Sequence, residues 1–258
     1  MTIDGLLLDI DGVLAVSWEP LPGAVDALQR LRDDAVPFRL ITNTTTKTRT
    51  DLASTLRQAG FDVGDDEIVT AVVATAEHLQ SAHPGARVFV LSDGDARADL
   101  TGIDLVDVDD ADVIVLGGAC DEFTYPTLNR IFRRLMDGAA LVGMHRNLYW
   151  KTAGGLDLDG GAYLAGLEEA AGVTAVICGK PEKAYFDAGL AMLGVPADRA
   201  AMVGDDIAND VLGAQSAGLL GILVRTGKYR PDDERREDGG PDHVLGSFAD
   251  VPDFLGSI

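Results

Sequence analysis

The stretch Leu6-Leu7-Leu8-Asp9-Ile10-Asp11-Gly12-Val13 decides how the rest of the chain is read. An unbroken apolar run followed at once by two acids and a glycine is not helical in period. It reads as a strand buried on both faces, as in parallel sheets, delivering two carboxylates at its carboxyl end. In extended chain, residues i and i+2 point the same way, so Asp9 and Asp11 can face one site. Gly12 permits a sharp turn directly after them.

Working outward, the same kind of run recurs at Phe38 to Ile41, Val88 to Leu91, Val113 to Leu116, Ala140 to Met144, Ala175 to Cys178, Ala200 to Val203 and Gly221 to Val224. Between the runs lie segments of helical period. One has Leu28, Leu31 and Ala35. Another has Leu52, Leu56 and Ala59 and closes on Gly60, and a third has Ile207, Val211, Ala214 and Ala217 and closes on Gly218. Short buried strands alternating with crossover helices predict an α/β fold with a doubly wound parallel sheet.

In such sheets, ligands bind beyond the carboxyl ends of the strands. Four of the runs end in related chemistry. After the first come Asp9 and Asp11. After the second comes Thr42-Asn43-Thr44-Thr45, whose hydroxyls and amides suit phosphate oxygens, or plain helix capping. After Ala175 to Cys178 comes Gly179-Lys180-Pro181, where Lys180 can neutralise a phosphate and an attacking carboxylate together. After Ala200 to Val203 comes Gly204-Asp205-Asp206, with Asp210 one helical turn on. Acids near a helix start also serve the helix dipole, but three acids this close repel unless a cation sits among them. Taken together, the four ends compose a phosphoryl-transfer site with nucleophile, metal ligands, phosphate cradle and cation.

The bulk composition agrees with such a site and excludes other classes. The chain has 258 residues, 47% of them hydrophobic, enough for a substantial core. Its 21 basic and 42 acidic residues give a formal net charge of −21, which disfavours nucleic-acid partners and requires any phosphate site to be locally positive. No apolar run reaches the roughly 18–20 residues that span a bilayer, and Met1-Thr2-Ile3-Asp4 lacks the basic start of a signal peptide. No membrane partner and a cytoplasmic location are therefore expected. Cys120 and Cys178 show no metal spacing and read as reduced, mostly buried residues; His78, His83, His145 and His243 show no paired ligand spacing either.

With these residues in place, the sequence resembles the haloacid dehalogenase superfamily of phosphatases. Its four motifs look like Asp9-x-Asp11-Gly12, Thr42, Lys180 and Gly204-Asp205 with Asp210. The stretch between Thr42 and Lys180 resembles the C2-type cap of the NagD-like subfamily. Thr42 to Thr45, Gly179 to Lys183 and Thr226-Gly227-Lys228-Tyr229-Arg230 are similar to the phospholysine phosphohistidine inorganic pyrophosphate phosphatase group.

The resemblance implies a catalytic core at residues 1–71 and 173–258 with an inserted cap at 72–172. It implies Asp9 as nucleophile and metal ligand, and Asp11 as general acid/base that also offers its backbone carbonyl to the metal. Thr42 and Asn43 would bind the transferring phosphoryl group, Lys180 would offset the charge of Asp9 and the phosphate, Asp205 would complete the Mg²⁺ ligands, and Asp206 and Asp210 would order the metal's waters. The specificity loop is expected within His145 to Gly161, with Asn147, Tyr149, Trp150 and Lys151, and Asp157-Leu158-Asp159-Gly160 reads as a cap loop rather than a second first motif. Homodimerisation is implied by the resemblance alone.

Animal members of the phospholysine phosphohistidine inorganic pyrophosphate phosphatase group carry Ser where this chain has Asp11. The complete acid pair here favours hydrolysis of phosphomonoesters of small metabolites over cleavage of P–N or P–O–P bonds. Phosphotransfer to another acceptor, and a non-catalytic phosphometabolite-binding regulator, are the rival expectations.

Overall fold

The structure is a computed structural model that describes residues 3–152, 155–235 and 239–257. It resolves into two compact units, the second inserted within the first. The first comprises residues 1–42, 49–69 and 180–258, and the second residues 43–48 and 70–179.

The first unit is organised by a six-stranded sheet. Its spatial order is His243–Leu245, Leu220–Val224, Ala200–Gly204, Gly5–Leu8, Phe38–Thr42 and Ile68–Thr70. Gly5 to Leu8 pair in parallel with Ala200 to Val203 on one side, and Leu6 to Leu8 with Phe38 to Leu40 on the other. The opening strand is thus central, which is why Leu6, Leu7 and Leu8 are all fully buried. The pleat divides them between two faces. Leu6 and Leu8 join a core with Ala24, Ala27, Leu28 and Leu31 of helix Ala24–Asp33 and Leu52, Ala53 and Leu56 of helix Arg49–Gln58. Those helix positions repeat at three and four residues, the period that lays one apolar stripe on a sheet. Leu7 points the other way, onto Gly189 of helix Lys183–Leu193. Both faces are covered, as the doubly wound expectation requires.

The second unit carries its own five-stranded sheet, in the order Val176–Ile177, Ala140–Gly143, Val113–Leu116, Arg87–Leu91 and Asp104–Leu105, with parallel pairing throughout. Helices Ala71–Ala82, Tyr125–Met136 and Gly160–Ala171 begin at Thr70, Thr124 and Asp159, whose side-chain oxygens accept backbone N–H groups of the first turn. The run Ala175 to Cys178, expected in the catalytic core, instead adds Val176–Ile177 to this second sheet, beside Val142 and Gly143. A four-residue apolar run states that a strand is buried, not which sheet buries it. Residues 43–48 also belong here: Thr45 Oγ1 accepts from Gly118 N–H at 2.9 Å, and Ser92 Oγ donates to the Thr45 carbonyl at 3.0 Å.

Within the expected specificity loop, Tyr149–Thr152 and Gly155–Leu158 form an antiparallel hairpin that leaves Tyr149, Trp150, Leu156 and Leu158 exposed; residues 153 and 154 lie outside the described residues. Asp159 caps the following helix rather than forming a second acid motif. Trp18 packs against the first unit's core, and Cys120, expected to be buried, is exposed. No helix among the described residues is long and apolar enough to cross a membrane.

Candidate active site

Strands Gly5–Leu8, Phe38–Thr42 and Ala200–Gly204 are adjacent and parallel, so their carboxyl ends lie together. The residues just past each strand are therefore delivered to one place in the first unit. Asp9 and Asp205 succeed neighbouring strands and are both buried, and Asp210 is buried with them. One carboxylate oxygen from each of Asp9, Asp205 and Asp210 lies within 4.8 Å of the others.

Lys180 enters this cluster and is only 3% exposed. Its Nζ donates to Asp9 Oδ1 and to Asp210 Oδ1, both at 2.6 Å. One ammonium thus bridges two carboxylates. Burial draws that ammonium toward the neutral form, but the charges of Asp210 and Asp9 and their hydrogen bonds outweigh it, and the net shift is upward. Burial pushes the Asp9 carboxyl up; Lys180 works against that push and Asp11 adds to it. Burial raises Asp210 to about 6, with Lys180 opposing and Asp9 and Asp206 contributing. Asp205 is pushed well above the usual carboxylate value by burial and by the charges of Asp9 and Asp210.

Asp205 is held by backbone rather than by a cation. Its Oδ2 accepts the Lys228 N–H at 2.6 Å. Gly12 and Gly227, at φ +86° and +58°, close on the same carboxylate, and a Cβ at either would overlap it. The loop bearing Gly227 is tied down by Thr226 Oγ1, which donates to the Gly12 carbonyl at 2.5 Å. The other oxygen, Asp205 Oδ1, is buried and has no hydrogen-bond partner among the described residues. A buried carboxyl oxygen without a partner is costly in a native fold. Three convergent carboxylates, one of which carries an oxygen otherwise unsatisfied, suit a hard divalent cation.

The remaining expected residues separate. Asp11 is exposed at the rim, close enough to Asp9 for its charge to act on it. Thr42 is buried at the end of its strand. Its backbone N–H donates to Tyr185 Oη at 3.1 Å, and Tyr185 Oη can donate to the Thr42 or Val69 carbonyl, at 2.8 and 2.7 Å. Asn43 belongs to the second unit, where its Oδ1 lies against Gly179. Asp206 turns away from the acid triad. It accepts the Ala208 and Asn209 N–H groups at 3.1 Å, as cap of the π-helical turn Ile207–Leu212, and receives Lys228 Nζ at 3.3 Å. Burial works against its ionised form, but Lys228 and Asn209 hold it below the usual carboxylate value. Asp210 takes the more central place, and its Oδ2 also accepts the Asp206 N–H at 3.1 Å.

Two contributors carry no clear signal in sequence. Tyr185 reads there as one apolar position of a helix. Lys228 is conspicuous only as part of Thr226 to Arg230, and nothing in the sequence singles out its backbone amide.

Comparison with known proteins identifies the family. Residues 6–106 match the family model for haloacid dehalogenase-like hydrolase, and residues 177–251 match a second, HAD-hydrolase-like model. The human haloacid dehalogenase-like hydrolase domain-containing protein 2 is 39% identical over 253 residues, covering 98% of this chain and 96% of that protein. The phospholysine phosphohistidine inorganic pyrophosphate phosphatase of Mus musculus is 35% identical over 259 residues, covering 98% and 94%. The 4-nitrophenylphosphatase of Thermotoga maritima superposes with a TM-score of 0.90 at 30% identity, covering 97% of each chain. With its doubly wound core and inserted α/β cap, the chain belongs to the haloacid dehalogenase-like hydrolases, in their phosphatase branch.

Proposed function

We propose that this chain is a Mg²⁺-dependent phosphohydrolase acting on small phosphorylated metabolites through an aspartyl-phosphate on Asp9. The observation that carries the reading is the buried cluster of Asp9, Asp205 and Asp210 around Lys180, with Asp205 Oδ1 left without a donor. Asp9 and Asp205 would hold the cation. When bound, it supplies positive charge beside the phosphoryl oxygens and lessens their repulsion from Asp9.

Lys180 opposes the upward push of burial on the Asp9 carboxyl and holds one of its oxygens, which orients the other. An Asp9 oxygen attacks phosphorus as the bond to the leaving oxygen breaks. Asp11, exposed and beside Asp9, gives its proton to that leaving oxygen. Asp11, now ionised, takes a proton from water as the water attacks the aspartyl-phosphate. The phosphorus bond to Asp9 then breaks and inorganic phosphate departs. Thr42, fixed through its backbone by Tyr185, bounds the phosphoryl site on the neighbouring strand.

A relative named for P–N and P–O–P substrates shares 35% identity. The acid at position 11 favours phosphomonoesters, whose leaving alkoxide needs a proton. The test is phosphate release from 4-nitrophenyl phosphate and from a panel including phosphoramidates and pyrophosphate, with Mg²⁺ or with chelator. Release should require Mg²⁺ and vanish in Asp9→Asn. Undiminished turnover in chelator, or in that variant, would overturn the reading.

A further inference from the structure

Three carboxylates, Asp9, Asp205 and Asp210, meet at the carboxyl end of the first sheet, and Asp206 stands beside them with its backbone N–H on Asp210 Oδ2. Lys180 is committed between Asp9 and Asp210. Asp205 and Asp206 are served by a different residue, Lys228, through two different groups. Its backbone N–H holds Asp205 Oδ2 at 2.6 Å, and its ammonium reaches Asp206 Oδ2 at 3.3 Å. The peptide before it is clamped from both sides, since Gly227 lies against the Asp205 carboxylate and Thr226 is bonded to the Gly12 carbonyl. The amide therefore cannot drift, and neither can the oxygen it holds. With Oδ2 fixed, the direction of the unpartnered Oδ1 is fixed too.

The ammonium has a separate consequence. Its side chain is 45% exposed, while Asp206 beneath it is 19% exposed. A positive charge there steadies the acids when no cation is bound, and it opposes the arrival of one. Its effect on cation affinity is thus opposite in sign to that of the amide.

We propose that Lys228 is a positioning residue with two separable actions: its amide aims Asp205 Oδ1 at the cation, and its ammonium sets how loosely that cation is held. The inference rests on the reading that these acids bind a divalent cation. A site balanced in this way stays assembled when empty and releases its cation readily.

Lys228→Met keeps the amide and removes only the charge, so it isolates the second action. Mg²⁺ titration of the substrate-free protein by calorimetry should show binding about tenfold tighter in Lys228→Met. Without Mg²⁺ its melting temperature should lie below the wild type, and saturating Mg²⁺ should close that gap. Lys228→Arg should bind Mg²⁺ like the wild type. The tighter binding should fade as salt is raised, because the charge is partly exposed. Affinity that is unchanged or weaker in Lys228→Met, or an Arg variant that behaves like Met, overturns the inference and leaves the phosphohydrolase reading standing. Failure of the wild type to bind Mg²⁺ at all overturns both.

Discussion

Replacing Lys180 by Met removes one ammonium and strands two buried carboxylates. The methionine chain fills nearly the same volume, so the change is electrostatic rather than a cavity. In the native fold Nζ lies 2.6 Å from both Asp9 Oδ1 and Asp210 Oδ1, and the side chain is 4% exposed, so water cannot take its place. Breaking a buried pair by removing one partner costs about 3–5 kcal/mol. In a chain of this size each kcal/mol lowers the melting temperature by roughly 2–4 °C, so a fall of about 6–20 °C is expected. The assay is thermal unfolding by circular dichroism in chelator at neutral pH. Asp210→Asn added to Lys180→Met removes one of the two stranded charges and should recover about half of the loss, as coupled neighbours do. A fall below about 3 °C for Lys180→Met, or a double variant that is no more stable than the single one, would refute the bridging argument.

Tyr185→Phe strips Thr42 of the phenolic oxygen that accepts its backbone N–H, leaving a buried donor unsatisfied at a cost of about 1–3 kcal/mol. Urea unfolding should show the loss, and an unchanged midpoint would mean that the Thr42 amide finds another acceptor. Glu168 in the second unit lies below its ordinary value because of its hydrogen bonds to Arg146, at 2.7 and 2.8 Å, and the Ala175 N–H. A depressed carboxyl contributes stability above its unfolded value and loses it as pH falls through its folded one. Glu168→Gln should therefore be about 1 kcal/mol less stable at pH 7 and equal to the wild type in acid below the depressed value. A deficit that persists there would point to packing instead of charge.

The central strand is legible in the sequence because three consecutive leucines followed by an acid leave few alternatives. Lys180 is legible for a similar reason, a lysine between Gly and Pro after an apolar run. The sheet its strand joins is not, because Ala175 to Cys178 has the same composition as the core runs and only pairing with Val142 and Gly143 places it. The edge strands Ile68–Thr70 and His243–Leu245 are three residues each and too short to show a period. Asp206 and Asp210 are indistinguishable by spacing. Which one faces the cluster depends on the π-helical turn that lets Asp206 spend its oxygens on Ala208 and Asn209. Glycines 12 and 227 are visible, but that they close on one carboxylate depends on two loops far apart in the chain.

That separation has a consequence for how the molecule is made. The strand at the centre of the first sheet is made before the sheet's other strands, and Gly5 waits for Ala200 as its partner on one side. At synthesis rates of about 5–20 residues per second, that wait lasts on the order of 10–40 s. Throughout it, a strand of consecutive leucines has an open edge, and Asp9 lacks Asp205 and Asp210. The second unit, whose strands lie close together in the chain, can finish folding inside this interval. Assembly of the acid cluster thus waits on residues made late in synthesis, and until Ala200 to Val203 pair with it the opening strand keeps one edge exposed.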